Sequence, residues 1–274
     1  MNLESEPNWN GKELLSSKTF DIDIHDVSGW IASEKLDGIR AYWDGKLNIW
    51  SRQKKVIHAP EWFLHALPEG IPLDGELFGG RGNFQHLVSV VRKNQPIDDE
   101  WKTVWFSVFD APMVRKIYER RVEFIREFES DIIKPCETWI IKSNKELLGQ
   151  LETISDKGAE GLMVRQPGSF YEWKRSKTLI KVKKRYDSEA TVIGYTEGTG
   201  KYTGMLGALI VKSIENINLG IKAGIEFKVG SGFTDVMRNK ELYPIGTKIM
   251  FKYGEMTKTG KPRFPIFDKV YETI

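Results

Sequence analysis

The strongest constraint on the fold of this chain is a succession of strand-length runs separated by Asp-Gly dipeptides. Residues 30–33, 40–43 and 47–50 read as short strands, with Asp37-Gly38 and Asp44-Gly45 in the gaps between them. Asp-Gly suits the positive-φ positions of a tight hairpin turn, so this spacing predicts a meander. Further strands are expected at 73–78, 104–109, 162–164 and 179–182, and helices at 61–66, 84–93, 115–130 and 145–157. Strands and helices do not alternate with a βαβ rhythm. The expected fold is therefore α+β, with antiparallel sheets and flanking helices, and a doubly wound nucleotide fold is disfavoured.

The pattern changes after Asp187. Five Gly-punctuated strands are expected at 190–195, 208–214, 224–229, 248–253 and 264–270, with one helical segment at 234–242, which suits a small barrel of the oligonucleotide-binding (OB) kind. Charge divides at the same place: residues 188–274 hold 12 Lys/Arg and 9 Asp/Glu, whereas the preceding part holds 29 of each. Two domains follow, 1–187 and 188–274. A net charge of +3 excludes a polycation, so any affinity for nucleic acid has to come from local clusters. The single Cys136 excludes a disulfide framework and a multi-thiolate zinc site. Charged residues through 1–30 leave no apolar core for an export signal, and no window is long and apolar enough to span a membrane. The chain as given is expected in the cytoplasm, or in the periplasm if a leader has been removed.

Neither G-x-x-x-x-G-K-[ST] nor G-x-G-x-x-G occurs, so a bound nucleotide would have to be held by side chains. The first candidate is Glu34-Lys35-Leu36-Asp37-Gly38-Ile39-Arg40, where a lysine ends one strand and an arginine returns on the next, both able to face one cavity. A lysine attacks only when neutral, and an ordinary one is neutral about once in a thousand molecules at neutral pH. Nearby cations or a metal ion would discharge it, and Arg40, Lys181 and Lys183 are candidates. Taken alone, the heptad reads equally well as a charged hairpin. Four more runs accompany it: Glu76 within Leu73-Asp74-Gly75-Glu76-Leu77, Phe109 before Asp110, Glu160 opening Glu160-Gly161-Leu162-Met163-Val164-Arg165, and Lys181 and Lys183 on one face of Leu179-Ile180-Lys181-Val182-Lys183.

In this order and spacing the runs resemble the nucleotidyltransferase motifs of the ATP-dependent DNA ligase superfamily, over about residues 30–267. The resemblance implies that Lys35 takes AMP from ATP, passes it to the 5′-phosphate of a nick, and that the 3′-hydroxyl then displaces it. It also implies Mg2+, with Mn2+ as a substitute, held by Glu76 and Glu160, with Glu76 meeting ribose as well. By the same resemblance Phe109 stacks on adenine, Glu34 meets its amino group, Arg52 contacts the 5′-phosphate or the nucleotide, and Lys181 and Lys183 contact nucleotide phosphates. Asp37 is expected to stabilise its turn and orient Arg40.

Seven basic residues and no acid lie between Lys174 and Arg185. Of these, Lys174, Arg175, Lys177, Lys184 and Arg185 are expected either to contact the DNA backbone or to be solvated charges. Arg263, in Lys261-Pro262-Arg263-Phe264, resembles an arginine that orients the pyrophosphate leaving group in related ligases. Eight residues further on Tyr271 stands where they usually have another arginine, a departure that weakens this segment's part in adenylation unless Lys269 substitutes. Only 33 residues precede Glu34, and no long insertion follows Lys201, so the chain resembles the minimal bacterial ATP-dependent ligases. The expected partner is nicked duplex DNA, bound by a monomer without an obligate protein partner or a membrane. The competing expectations are an RNA ligase or mRNA-capping nucleotidyltransferase, separable by AMP against GMP labelling, and a non-catalytic nick-binding protein.

Overall fold

A computed structural model describes residues 12–219, 221–257 and 259–271. Glu4 and Glu6, part of the charged start of the chain, lie outside them. The chain forms two compact units, Met1–Lys183 and Lys184–Ile274. Among the described residues no helix is long and apolar enough to cross a membrane.

The first unit runs β1 (Ser16–Thr19), β2 (Ile31–Lys35), β3 (Ile39–Trp43), β4 (Ile49–Ser51), β5 (Val56–Ile57), α1 (Glu61–His65), β6 (Leu73–Phe78), α2 (Phe84–Val91), α3 (Asp98–Trp101), β7 (Trp105–Asp110), α4 (Tyr118–Arg126), β8 (Ile133–Pro135), β9 (Trp139–Ile140), α5 (Asn144–Asp156), β10 (Gly161–Arg165) and β11 (Arg175–Val182). Its strands form two sheets, ordered β1-β11-β10-β2-β9 and β5-β4-β3-β6-β7-β8. The expected meander is therefore only half formed. Around Asp44-Gly45, β3 and β4 pair as a hairpin, but β2 and β3 belong to different sheets, so Asp37-Gly38 is a crossover between sheets. Gly38 permits the crossing: a Cβ there would lie 2.4 Å from the Leu77 carbonyl oxygen and 2.5 Å from Glu76 Cγ.

Each sheet has one apolar and one polar face, as the two-residue period of a strand dictates. In the six-stranded sheet Ala41, Trp43, Leu73, Leu77, Phe106 and Val108 pack with Phe63 of α1, Leu87, Val90 and Val91 of α2, and Trp101 of α3. In the five-stranded sheet Ala32, Leu162, Val164, Ile180 and Val182 pack against Leu147 and Leu151 of α5. Helix α5 starts where its sequence directs: Ser143 Oγ accepts from the Glu146 N–H at 3.2 Å, while Glu146 Oε2 accepts from the Lys142 N–H at 2.8 Å. With helices over the apolar faces, the polar faces are left for a cavity.

The second unit contains β12 (Tyr186–Glu197), β13 (Leu206–Ser213), β14 (Glu226–Val229), β15 (Lys248–Tyr253), β16 (Glu255–Met256), β17 (Pro262–Arg263) and β18 (Ile266–Val270). Its main sheet is ordered β14-β13-β12-β15-β18. Just past β14, Ser231 forms an isolated parallel bridge with Ile266 of β18, so among the described residues the sheet does not close into a full barrel by a ladder, and the unit is OB-like. Tyr186 and Asp187 already pair with Tyr253 and Lys252 of β15. The helix expected at 234–242 reduces to turns and a 3-10 turn at Lys240–Leu242. Tethering explains the difference: the Arg238 guanidinium donates to the carbonyls of Leu206, Gly207 and Gly230, and its own carbonyl accepts from the Leu206 N–H.

Candidate active site

The polar faces of the two sheets of the first unit line a cavity of about 310 Å3. On the five-stranded side Ile31, Ser33 and Lys35 of β2, Met163 and Arg165 of β10, and Leu179 and Lys181 of β11 come from alternate positions, in register: Met163 pairs with both Ser33 and Lys181. Lys183 continues the row and Leu14–Ser17 close one edge. On the six-stranded side are Arg40, Glu76 and Phe109, with Arg40 paired directly to Glu76 across β3 and β6. Phe109 is placed by a bulge. Asp110 pairs with Asp74 and Val108 with Gly75, which leaves Phe109 unpaired and turned into the cavity, 4.6 Å from the Arg40 guanidinium.

At the lysine end, Glu160 accepts from Lys35 through one carboxylate oxygen and pairs with Lys183 through the other. Burial, reinforced by the charges of Lys183 and Lys35, holds Lys181 below the ordinary lysine range. Glu76 forms no hydrogen bond or ion pair with the described residues, and burial pushes its carboxyl up to about 7 despite Arg40 and Lys35. An otherwise unpartnered carboxylate opening on a cavity suits a hard cation. Together with Glu160 it gives the small number of protein oxygens that Mg2+ takes beside phosphate and water.

Arg40 is fixed by Asp74, at 2.7 Å from Nε and 2.6 Å from Nη2, and donates to the Leu15 carbonyl at 3.1 Å. Tyr171 completes the arrangement: its hydroxyl donates to Asp74 at 2.6 Å and accepts from the Leu15 N–H. Behind Phe109, the fully buried Asp110 is held by Arg121 at 2.6 Å and by Arg165 at 2.9 Å. Arg165, in the cavity wall, keeps Nε and Nη1 buried without hydrogen-bond partners among the described residues. Burial, with the charges of Glu76 and Glu34, pushes the Cys136 thiol up to about 12, so this cavity-lining sulfur stays protonated at neutral pH.

Of the residues singled out in the sequence, Glu34, Lys35, Arg40, Arg52, Glu76, Phe109, Lys181 and Lys183 line this cavity, and Glu160 is bonded to two of them. Asp37 is exposed and is not among the lining residues. Lys174, Arg175 and Lys177 are exposed on and beside β11, and Lys174 pairs with Glu172 at 3.3 Å. Lys184, Arg185 and Arg263 belong to the second unit, with Arg263 on β17. Sequence reasoning passed over Asp74, Tyr118, Arg165, Tyr171 and Arg81. Two of these carried a signal: Asp74 lies one strand period from Glu76, and Arg165 two periods from Gly161. Arg81 and Tyr171 come from loops with no such period.

Two mixed, mostly antiparallel sheets, with β1–β11 and β7–β8 parallel, sandwich a lysine-rich cavity and are followed by an OB-like unit; this is a nucleotidyltransferase architecture, and the sequence comparisons place it more closely. Residues 16–183 match the profile described as ATP dependent DNA ligase domain, and residues 197–270 that of the DNA ligase OB-like domain. The chain belongs to the ATP-dependent DNA ligase family, and ATP use goes with that membership. It is 33% identical over 245 residues to the DNA ligase of Haemophilus influenzae, spanning 88% of this chain and 86% of that one. A solved structure of a Lig E DNA ligase, described as binding DNA with a minimal scaffold, superposes with a TM-score of 0.78 at 33% identity, covering 94% of this chain and 99% of the other. The Chlorella virus DNA ligase-adenylate is more distant, with a TM-score of 0.54 at 28% identity, covering 96% and 99%.

Proposed function

We propose that this chain seals 5′-phosphate/3′-hydroxyl nicks in duplex DNA as a monomer, with Lys35 as the nucleophile that carries AMP. The observation that supports this most is the position of Lys35. It ends β2 at the cavity edge, within reach of Glu160 and beside the cationic row of Lys181 and Lys183. The neutral Lys35 amine attacks the α-phosphorus of ATP, the bond to the β-phosphate oxygen breaks, pyrophosphate leaves, and the nitrogen gives up one proton to solvent as the P–N bond forms. A 5′-phosphate oxygen then attacks the same phosphorus, and the P–N bond breaks as the nitrogen takes up a proton from solvent, which restores the amine. The 3′-hydroxyl finally attacks the DNA phosphorus, losing its proton as AMP departs.

Within this reading Phe109 offers its ring to the base, a contact of the kind that contributes about 1 kcal/mol. Arg40, held rigid by Asp74 and Tyr171, presents fixed positive charge to the nucleotide. Glu76 and Glu160 would hold Mg2+ or Mn2+, whose charge offsets that of the phosphoryl oxygens. Lys181 and Lys183 neutralise phosphate charge directly. Arg263 would act on the leaving pyrophosphate. Arg52, the exposed Lys174, Arg175, Lys177 and Arg185, and the half-buried Lys184 would supply DNA-backbone contacts, which makes binding strongly salt-dependent.

The test is sealing of a nicked duplex by wild type and by Lys35→Ala. The variant is expected to bind the nick and to seal none of it. Sealing by the variant, or transfer of GMP in preference to AMP, would overturn the reading.

A further inference from the structure

The two sheets that form the cavity are joined at its rim by a contact the reaction scheme does not use. Between β6 and α2 the chain reads Gly79-Gly80-Arg81-Gly82-Asn83, and Gly80 (φ 91°) and Gly82 (φ 76°) adopt the left-handed conformation on either side of Arg81. Asn83 Nδ2 closes this loop by donating to the Gly79 carbonyl at 2.8 Å. The turn thus formed sends Arg81 across to the other sheet. There its Nε and Nη2 meet the two carboxylate oxygens of Glu34 at 2.8 and 2.6 Å, and Nη1 approaches the Lys157 carbonyl just past α5 at 3.4 Å.

Glu34 immediately precedes Lys35, and Arg81 follows Glu76 by five positions on the same strand-to-loop run. One two-point ion pair therefore links the strand that carries the amine to the strand that carries the unpartnered carboxylate. We infer that Arg81 is a positioning residue for lysine adenylation: through Glu34 it sets the spacing of the two cavity walls, and with it the place of the Lys35 amine relative to the α-phosphate. The Glu34 carboxylate is thereby assigned to Arg81 and not to the adenine amino group. The side chains are 39% and 26% exposed, a setting in which an ion pair contributes little to global stability, so its effect should appear in rate and not in melting. A planar guanidinium meeting a carboxylate at two points does fix orientation.

The inference rests on Lys35 being the nucleophile, and the experiment separates the two. Single-turnover transfer of radiolabelled AMP from ATP to the full chain is measured for wild type, Arg81→Gln, Glu34→Gln and the double variant. No transfer to the wild type would refute the nucleophile assignment itself. With a reactive wild type, each single variant should lose roughly tenfold in maximal rate, with half-saturating ATP within about twofold, because misplacement of a reacting group falls on the rate of the chemical step. The double variant should be no slower than the slower single variant. Exchanging the pair, as Glu34→Arg with Arg81→Glu, should recover most of the rate. A wild-type rate in Arg81→Gln, losses that multiply in the double variant, or a raised half-saturating ATP at unchanged maximal rate in Glu34→Gln would each overturn the proposal.

Discussion

The two units of this ligase treat buried charge in opposite ways. Among the described residues the first unit buries Asp44, Asp74, Asp110, Arg121 and Arg165, whereas the buried polar side chains of the second are only Ser188 and Ser213. Both have a substantial apolar core: Phe63, Trp101 and Phe106 in one, Phe227, Phe251 and Phe267 in the other. The first unit needs the charges for geometry. Taking an ion out of water costs several kcal/mol unless its partners are well placed, and here the partners fix the side chains that face the cavity. Asp74 sets Arg40, and Asp110 sets the end of the bulged strand that carries Phe109 and, through Arg165, the end of β10.

The largest effect should come from breaking that buried network. Asp110→Ala leaves Arg121 and Arg165 uncompensated and is expected to cost about 3–5 kcal/mol. All nine tryptophans lie within residues 1–183, so urea unfolding followed by tryptophan fluorescence reports on the affected unit. Next comes Gly38→Ala, which drives a methyl group into the Leu77 carbonyl and Glu76 Cγ; about 1–3 kcal/mol of stability should be lost, together with AMP transfer. Wild-type transfer by this variant would mean that the crossover does not set the cavity.

A smaller, pH-dependent contrast comes from Glu76. Its carboxyl holds its proton to about 7 in the fold against an ordinary value of 4.5, so the group favours the folded state fully below pH 4.5 and loses that contribution as the pH rises through 7. In chelator-treated protein Glu76→Gln should flatten this part of the stability–pH profile, as measured by urea titrations at pH 5 and pH 8. An unchanged profile would show that Glu76 is better solvated than its position suggests. The smallest effect belongs to the second unit. Ser188 Oγ is buried without a hydrogen-bond partner among the described residues, so Ser188→Ala should change stability by no more than about 1 kcal/mol, most plainly as a small gain in thermal midpoint. A loss comparable to that of Asp110→Ala would erase the contrast between the units.

Much of the cavity was legible because strands write their faces into the sequence. Lys181 and Lys183, or Asp74 and Glu76, sit two residues apart, and that period survives whatever the sheet pairs with. The parts that were not legible depend on contacts far along the chain. Asp37-Gly38 reads as a hairpin turn, and only packing against β6 decides that it crosses between sheets. The bulge at Phe109 follows from the register of β6 and β7, which no local spacing encodes. Arg40 has an acid close by in sequence at Asp37, yet a structural partner at Asp74, 34 residues away, holds it in two-point contact. The segment at 234–242 has helical composition, but the Arg238 contacts pull it onto β13.

The most direct test is to incubate the folded protein with ATP and magnesium, digest it, and locate AMP by peptide mass spectrometry. The account predicts one AMP on the peptide that contains Lys35 and none in Lys35→Ala. AMP found on Lys181 or Lys183, or on no residue of a demonstrably folded sample, would contradict it.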